Sequence, residues 1–272
     1  MRVTIEDDFD LNKIANCGQC FRGKELENGI YRFITNKYVV YIKKLRENTF
    51  DVSCDKYEWT NVWENYFDLT TDYRSIRREI STVNDYFKEA AQIGEGIRIL
   101  KQDPFETLIS FIISQRKSIP SIMTSVERIA EKYGKPLTSI YETVYTFPNL
   151  EEMKSASLLA LSTCALGYRA EYIKDAVEKV HEGIVDLEEL KKKTDDDELV
   201  EELKKIRGVG NKVANCVALF AYHRVDRVPI DVWIDRVINE DWAGHNLFAR
   251  LQHNGGIAQQ YIFYSKRFAK AQ

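Results

Sequence analysis

The chain reads as an α+β protein, an N-terminal antiparallel β-sheet domain followed by a mostly α-helical, two-lobed domain. Three observations predict this fold class. Residues 21–54 alternate strand-forming runs with turn signals, the apolar period lengthens to that of a helix after Trp59, and Gly208-Val209-Gly210 separates two helical segments. The expected division is 1–94 for the sheet domain and 95–272 for the helical domain, with the helix, hairpin, helix unit at about 199–221.

In chain order, Glu27-Asn28-Gly29 is a hairpin signal, because Asn and Gly tolerate positive φ. It leads into two β-branched and aromatic runs, residues 30–34 and 38–42, which fit a half-buried meander better than a base-stacking platform. Asp103-Pro104 marks a helix start, with Asp as N-cap and Pro in the first turn. The almost wholly apolar stretch 105–113 then predicts a buried helix. A further helix runs from Pro120 to a stop at Gly134, and another from Tyr168 to Glu182, closed by Gly183. The acidic run Asp195-Asp196-Asp197-Glu198 reads as a solvated helix start.

At 272 residues, 44% hydrophobic and 30% charged, the chain can bury a full core and has neither a disordered nor a collagen-like composition. No apolar run is long enough to cross a bilayer, and the opening MRVTIEDDFD lacks the basic-then-apolar order of a signal peptide. An intracellular, cytoplasmic protein is therefore expected, nucleoid-associated in a bacterium, acting as a monomer away from membranes. The formal net charge of −3 argues against holding nucleic acid by bulk charge, so any such contact must be local. The five cysteines are odd in number and scattered, which reads as reduced thiols. Cys17 and Cys20 form a C-x-x-C without a second ligand pair for zinc, so neither a metal nor a cofactor is assigned.

The richest segment lies around Gly208-Val209-Gly210. The glycines let the backbone approach a ligand, and the free amides of the next helix's first turn can point at a phosphate. An ordinary turn between packed helices is the plainer reading. Lys212 sits in that first turn, where the helix dipole and partial desolvation disfavour an ammonium, and a neutral amine is a nucleophile. A surface lysine is its alternative. Asp231, after Val228-Pro229-Ile230, is placed to cap a helix beginning at Val232. A carboxylate held rigidly there can also stabilise developing positive charge.

With these residues in place, Ile206-Arg207-Gly208-Val209-Gly210-Asn211-Lys212-Val213-Ala214, continued by Val228-Pro229-Ile230-Asp231-Val232, resembles the helix-hairpin-helix (HhH-GPD) DNA glycosylase superfamily. The resemblance is closest to its bifunctional 8-oxoguanine DNA glycosylase/AP lyases. It extends over nearly the whole chain, through Asn16-Cys17-Gly18-Gln19-Cys20-Phe21-Arg22, Gln102-Asp103-Pro104-Phe105-Glu106, Leu166-Gly167-Tyr168-Arg169-Ala170 and Gly256-Ile257-Ala258-Gln259-Gln260-Tyr261-Ile262-Phe263.

The resemblance implies a base-excision repair enzyme acting on double-stranded DNA that contains 8-oxoguanine or its ring-opened formamidopyrimidine form. Lys212 is then the nucleophile and Asp231 the essential carboxylate. The flipped base would meet the Gly18 carbonyl at its N7 hydrogen and Gln259 at its Watson–Crick edge, between Phe263 and Cys216. Tyr168 would wedge into the stack and Arg169 read the opposite base, with Gly208, Gly210, Asn211 and Arg116 also on the DNA. Such proteins often hold a cation on backbone carbonyls around the hairpin. Ser121 stands where animal relatives carry an arginine that reads the opposite cytosine, which implies a weaker preference for that base. Trp233 stands where a histidine is common. No four-cysteine cluster follows Asp231, which speaks against an iron-sulfur cluster.

Two other readings compete. A monofunctional glycosylase for alkylated bases needs the aspartate but not Lys212. A non-catalytic helix-hairpin-helix DNA-binding module has no reason to assemble Gly18, Gln259 and Phe263.

Overall fold

The computed structural model describes residues 1–268. Strands β1 (Arg2–Thr4), β2 (Lys24–Glu25), β3 (Ile30–Thr35), β4 (Tyr38–Arg46) and β5 (Thr49–Val52) form one antiparallel sheet in the order β1-β5-β4-β3-β2. The expected turn at residues 27–29 joins β2 to β3, with Asn28 and Gly29 at φ 61° and 69°. In the next hairpin Thr35 pairs with Tyr38 and Phe33 with Val40. That register puts Phe33, Val40 and Ile42 into one core with Phe9, Trp59, Trp63 and Phe67. Edge-to-face contacts between Phe33 and Phe67 (5.1 Å) and between Phe9 and Phe50 (5.2 Å) fill it.

The helical core is centred on the helix Pro104–Ser114, buried on nearly every side as its composition predicts. Asp103 caps it, accepting from the Glu106 amide at 2.9 Å. The helices Ile119–Tyr133, Arg169–His181 and Asn211–Phe220 surround it. Two helices that precede residue 95, Tyr73–Ser81 and Asp85–Ile93, also bury residues in this core, and Asp85–Ile93 receives the last helix, Gly255–Phe268. One feature of the helical region went unread in the sequence. The short hairpin β6 (Pro136–Thr138) and β7 (Thr143–Tyr145) follows Gly134 and docks on the sheet through the Tyr41 and Tyr141 rings, whose centroids lie 4.3 Å apart at a 33° tilt.

Polar groups join the two cores. The wholly buried Arg98 donates to the carbonyls of Phe67, Asp8 and Thr71 and pairs with Asp7 at 2.8 Å. Burial works against the charge of Asp68, but bonds from His223 and Lys101 outweigh it and hold its carboxyl down at about 2. Among the described residues, no helix is long and apolar enough to cross a membrane.

Candidate active site

Two segments far apart in the chain build the candidate site. The first is the turn after the short helix Leu11–Asn16. Gly18 sits there at φ +80°, a conformation that L side chains rarely adopt. A Cβ at this position would press on Ile119 at 3.1 Å and on the Phe263 ring at 3.2 Å. Glycine is therefore required twice, by backbone and by packing. The turn is anchored by Gln19, whose side chain donates to the Arg98 carbonyl at 2.7 Å and accepts from the Leu100 amide at 2.8 Å. Cys17 and Cys20 are buried beneath it, and burial pushes the Cys17 thiol up to about 11.

The second segment is the hairpin. The helix Asp196–Leu203 ends before it, and the helix Asn211–Phe220 begins after it with Gly210 as an N-cap that offers no side-chain bond. The first-turn amides are thus left to an external acceptor, and no atom would obstruct a Cβ at Gly210. Gly208, at φ +80°, lies against the ring of Tyr172, into which any side chain would drive. Arg207, Gly208, Gly210 and Asn211 are exposed.

Lys212 projects from the first turn of that helix. Its Nζ lies 3.4 Å from the Ser114 hydroxyl and 5.1 Å from the Phe111 ring centroid. Asp231 caps the helix Val232–Arg236, as expected, and accepts from the Trp233 and Ile234 amides at 3.0 and 2.9 Å. Both bonds fall on Oδ1, which leaves Oδ2 for the cavity. Burial raises the Asp231 carboxyl above its ordinary range, against the opposing pull of those amides and of the Lys212 charge. Burial also pushes the Cys216 thiol up, so Cys216 is an apolar wall rather than a second nucleophile.

One cavity, with an empty volume of about 320 Å³, is bordered by Lys212, Asp231, Gly18, Gln259, Phe263 and Cys216. The predicted catalytic and base-reading residues thus share a single space. Gln259 is 4% exposed and its Oε1 has no hydrogen-bond partner. A buried acceptor left without a donor awaits a ligand or a water. Sequence reasoning missed four further residues of the lining: Phe111 and Phe220, stacked 5.4 Å apart, together with Pro229 and Gln260. Phe111 was hidden inside an all-apolar run. Gln260 carried a signal, a second amide on an otherwise buried helix.

The residues expected on the DNA outside the cavity fall into two groups. Tyr168 is half exposed, and its ring meets edge-on at 5.6 Å the Tyr172 ring that lies against Gly208. Arg116 is exposed and held at φ 52°, an uncommon conformation for a long side chain. Trp233 is partly exposed beside Asp231, with Arg236 over its ring at 5.6 Å. Arg169 differs. It is 7% exposed, and its guanidinium donates to the carbonyls of Gln115, at 2.9 Å from Nε, and Leu166. Its donors are engaged by the protein's own carbonyls. Ser121 bonds to the Ser118 hydroxyl at 2.9 Å and adds no cation to this surface.

Comparison with known proteins points the same way. The profile described as 8-oxoguanine DNA glycosylase, N-terminal domain, matches residues 2–108. That of the HhH-GPD superfamily base excision DNA repair protein matches residues 109–247. The chain is 35% identical over 159 residues to an N-glycosylase/DNA lyase of Saccharomyces cerevisiae, a match covering 54% of this chain and 42% of that protein. It therefore spans less than half of the yeast relative's length. It is 30% identical over 230 residues to a probable N-glycosylase/DNA lyase of Methanothermobacter thermautotrophicus, covering 74% of this chain and 72% of that one. Among solved structures, the Clostridium acetobutylicum 8-oxoguanine glycosylase/lyase, in complex with double-stranded DNA containing cytosine opposite 8-oxoG, superposes with a TM-score of 0.91 at 36% identity. That superposition covers 99% of this chain and 98% of that one.

Proposed function

The chain belongs to the HhH-GPD superfamily of base-excision DNA repair proteins, and on that premise we propose that it excises 8-oxoguanine from duplex DNA and then cuts the strand. It is an 8-oxoguanine DNA N-glycosylase with DNA lyase activity. The observation that carries the site assignment is the single cavity bordered by an amine, a carboxylate and three groups suited to a base: Gly18, Gln259 and Phe263.

The damaged nucleotide enters this cavity extruded from the stack, since its sugar carbon is unreachable inside a duplex. Phe263 and the flat apolar wall at Cys216 cover the faces of the base. The unpartnered Gln259 Oε1 accepts hydrogen from its Watson–Crick edge, where guanine bears donors. The Gly18 carbonyl accepts the N7 hydrogen that 8-oxoguanine has and guanine lacks. Lys212, once it has given up its ammonium proton, attacks C1′ as the C1′–N9 bond breaks, and the departing base takes up a proton. Asp231, as a carboxylate, stabilises the positive charge that builds on the sugar. Loss of the amine proton and ring opening give a Schiff base on C1′. Removal of a proton from C2′ expels the 3′ phosphate by β-elimination, and water finally releases the lysine. The ring-opened formamidopyrimidine lesion suits the same contacts.

DNA is held locally rather than by net charge. The uncapped amides after Gly210 donate to a backbone phosphate, while Tyr168, Arg116 and Asn211 are exposed for contact with the DNA. A reading role for Arg169 requires it to exchange its carbonyl bonds on binding. Duplexes carrying 8-oxoguanine opposite each of the four bases test the proposal, with base release and strand cleavage scored separately. Release from 8-oxoguanine but not from guanine, with borohydride trapping of the protein on the DNA, is expected. Active but untrappable wild-type protein overturns the lysine mechanism. The absence of an opposite-base arginine at Ser121 predicts similar cutting opposite all four bases. An alkylated-base glycosylase needs no amine at position 212, and a backbone-binding module needs neither Gln259 nor Gly18.

A further inference from the structure

None of the roles above uses Gln260, although it is 2% exposed and borders the cavity. Its side-chain Nε2 donates at 2.8 Å to the carbonyl of Cys17, a residue with no exposure at all. The assignment of donor is secure chemically, because only the nitrogen of an amide can bond to a carbonyl. Cys17 immediately precedes Gly18, so this bond fixes the peptide plane on one side of the glycine. One peptide beyond the glycine, Gln102 donates at 2.8 Å to the Gln19 carbonyl and so holds the Gln19–Cys20 peptide plane.

Such fixing matters because glycine is the residue whose backbone turns most freely. A carbonyl that separates 8-oxoguanine from guanine through one hydrogen bond must point in one direction. The same bond also ties the Gly255–Phe268 helix, which bears Gln259 and Phe263, to the Gly18 turn. Packing alone does not call for an amide here. Ile257, Ala258, Tyr261 and Ile262 already bury that helix, and a buried amide is unfavourable unless it is bonded.

We propose that Gln260 is a positioning residue for lesion recognition: its bond to the Cys17 carbonyl holds the Gly18 wall and the Gln259–Phe263 wall at the separation and orientation the damaged base requires. The proposal rests on the reading of Gly18 and Gln259 as base contacts. It separates base recognition from the Lys212 chemistry, which acts on the sugar.

The test compares two duplexes, one carrying 8-oxoguanine and one carrying a preformed abasic site, in single-turnover assays with the full chain. An abasic site has no base to read but still needs Lys212. For Gln260→Met, which keeps the side chain's volume and loses the donor, base release should fall about tenfold or more, the scale of one lost buried hydrogen bond. Cutting and borohydride trapping on the abasic duplex should stay within about twofold of wild type, roughly a third of the free energy of a tenfold change. Gln260→Glu, near-isosteric but without a donor when ionised, should repeat the split and carries the test if the methionine variant does not fold. Equal losses on both duplexes overturn the proposal in favour of a purely structural role, and no loss on either overturns it outright. Wild-type protein that cuts the abasic but not the 8-oxoguanine duplex instead overturns the underlying reading of the pocket.

Discussion

Lys117 and Arg169 each reach a backbone carbonyl on the other's segment. The Lys117 ammonium bonds to Ala165 at 2.7 Å and to the Ser125 hydroxyl, while the Arg169 guanidinium bonds to Gln115. The segment after the helix Pro104–Ser114 is thereby latched to the segment bearing Tyr168, the expected wedge. Burial, together with the nearby charges of Arg169 and Arg128, lowers the Lys117 ammonium from its ordinary range. Lys117→Met removes one half of the latch. Base extrusion should slow about tenfold, because a hydrogen bond from a charged group contributes roughly 1.5–3 kcal/mol. The readout is the fluorescence of 2-aminopurine placed beside the lesion, and an unaltered extrusion rate would mean that the latch does not set the wedge.

Lys212→Gln should bind 8-oxoguanine duplexes and lose base release on the order of 10³-fold or more, with no borohydride-trapped species. Retained cleavage by this variant would place the nucleophile elsewhere.

Asp231→Asn should divide activity from stability. Asparagine caps a helix as well as aspartate does and removes a buried charge, so the melting temperature should be no lower than that of wild type. Base release should fall roughly 10²–10³-fold, as for other groups that stabilise transition-state charge. In the wild-type protein the raised Asp231 carboxyl places the acid limb of the activity profile above the pH of an ordinary aspartate. A melting temperature well below that of wild type would contradict the burial argument.

Glu106 makes the fold sensitive to alkali. Burial pushes its carboxyl from 4.5 up to about 8, with only partial compensation from the Arg22 charge. The folded state therefore holds a proton that the unfolded state releases near pH 4.5. The resulting stability is present below that pH and is lost as pH rises toward 8. Glu106→Gln should melt progressively above wild type as pH is raised from 5 to 8, by an amount reduced by the group's partial solvent contact. A constant gap across that range would remove Glu106 as the cause.

Gly208→Ala forces a side chain toward the Tyr172 ring at a left-handed position. A loss of about 1–3 kcal/mol in stability is expected, alongside weaker binding to abasic duplexes. Calorimetry and filter binding on the same preparation measure both, and a variant of unchanged stability and affinity would show the hairpin to be tolerant.

How far the chain could be read in advance depended on whether a signal was local. Asp103 and Asp231 cap the helices their neighbours predicted, because a cap needs only the next three amides. Gly18 and Gly208 are left-handed, and glycine marks such positions. The pairing of Gly18 with Phe263 was legible through the family resemblance, since nothing in either segment alone points to the other. The Gln260 bond, the Phe111–Phe220 floor and the inward turn of Arg169 were not legible. Each depends on which carbonyl or ring lies opposite, and one sequence names a donor without its acceptor. The β6–β7 hairpin was lost for a related reason, as three-residue strands carry almost no alternation.

The bond between Cys17 and Gln260 joins residues 243 positions apart. A chain emerging from the ribosome has its amine at Lys212 and its carboxylate at Asp231 well before the wall that inspects the base. Closing so long a loop is among the slower steps available to a folding chain. The helix that bears Gln259 and Phe263 also fills the main core with Ile257, Tyr261 and Ile262, so the wall that inspects the base forms together with that core. Recognition of the base is thus tied to the longest loop closure described in the site.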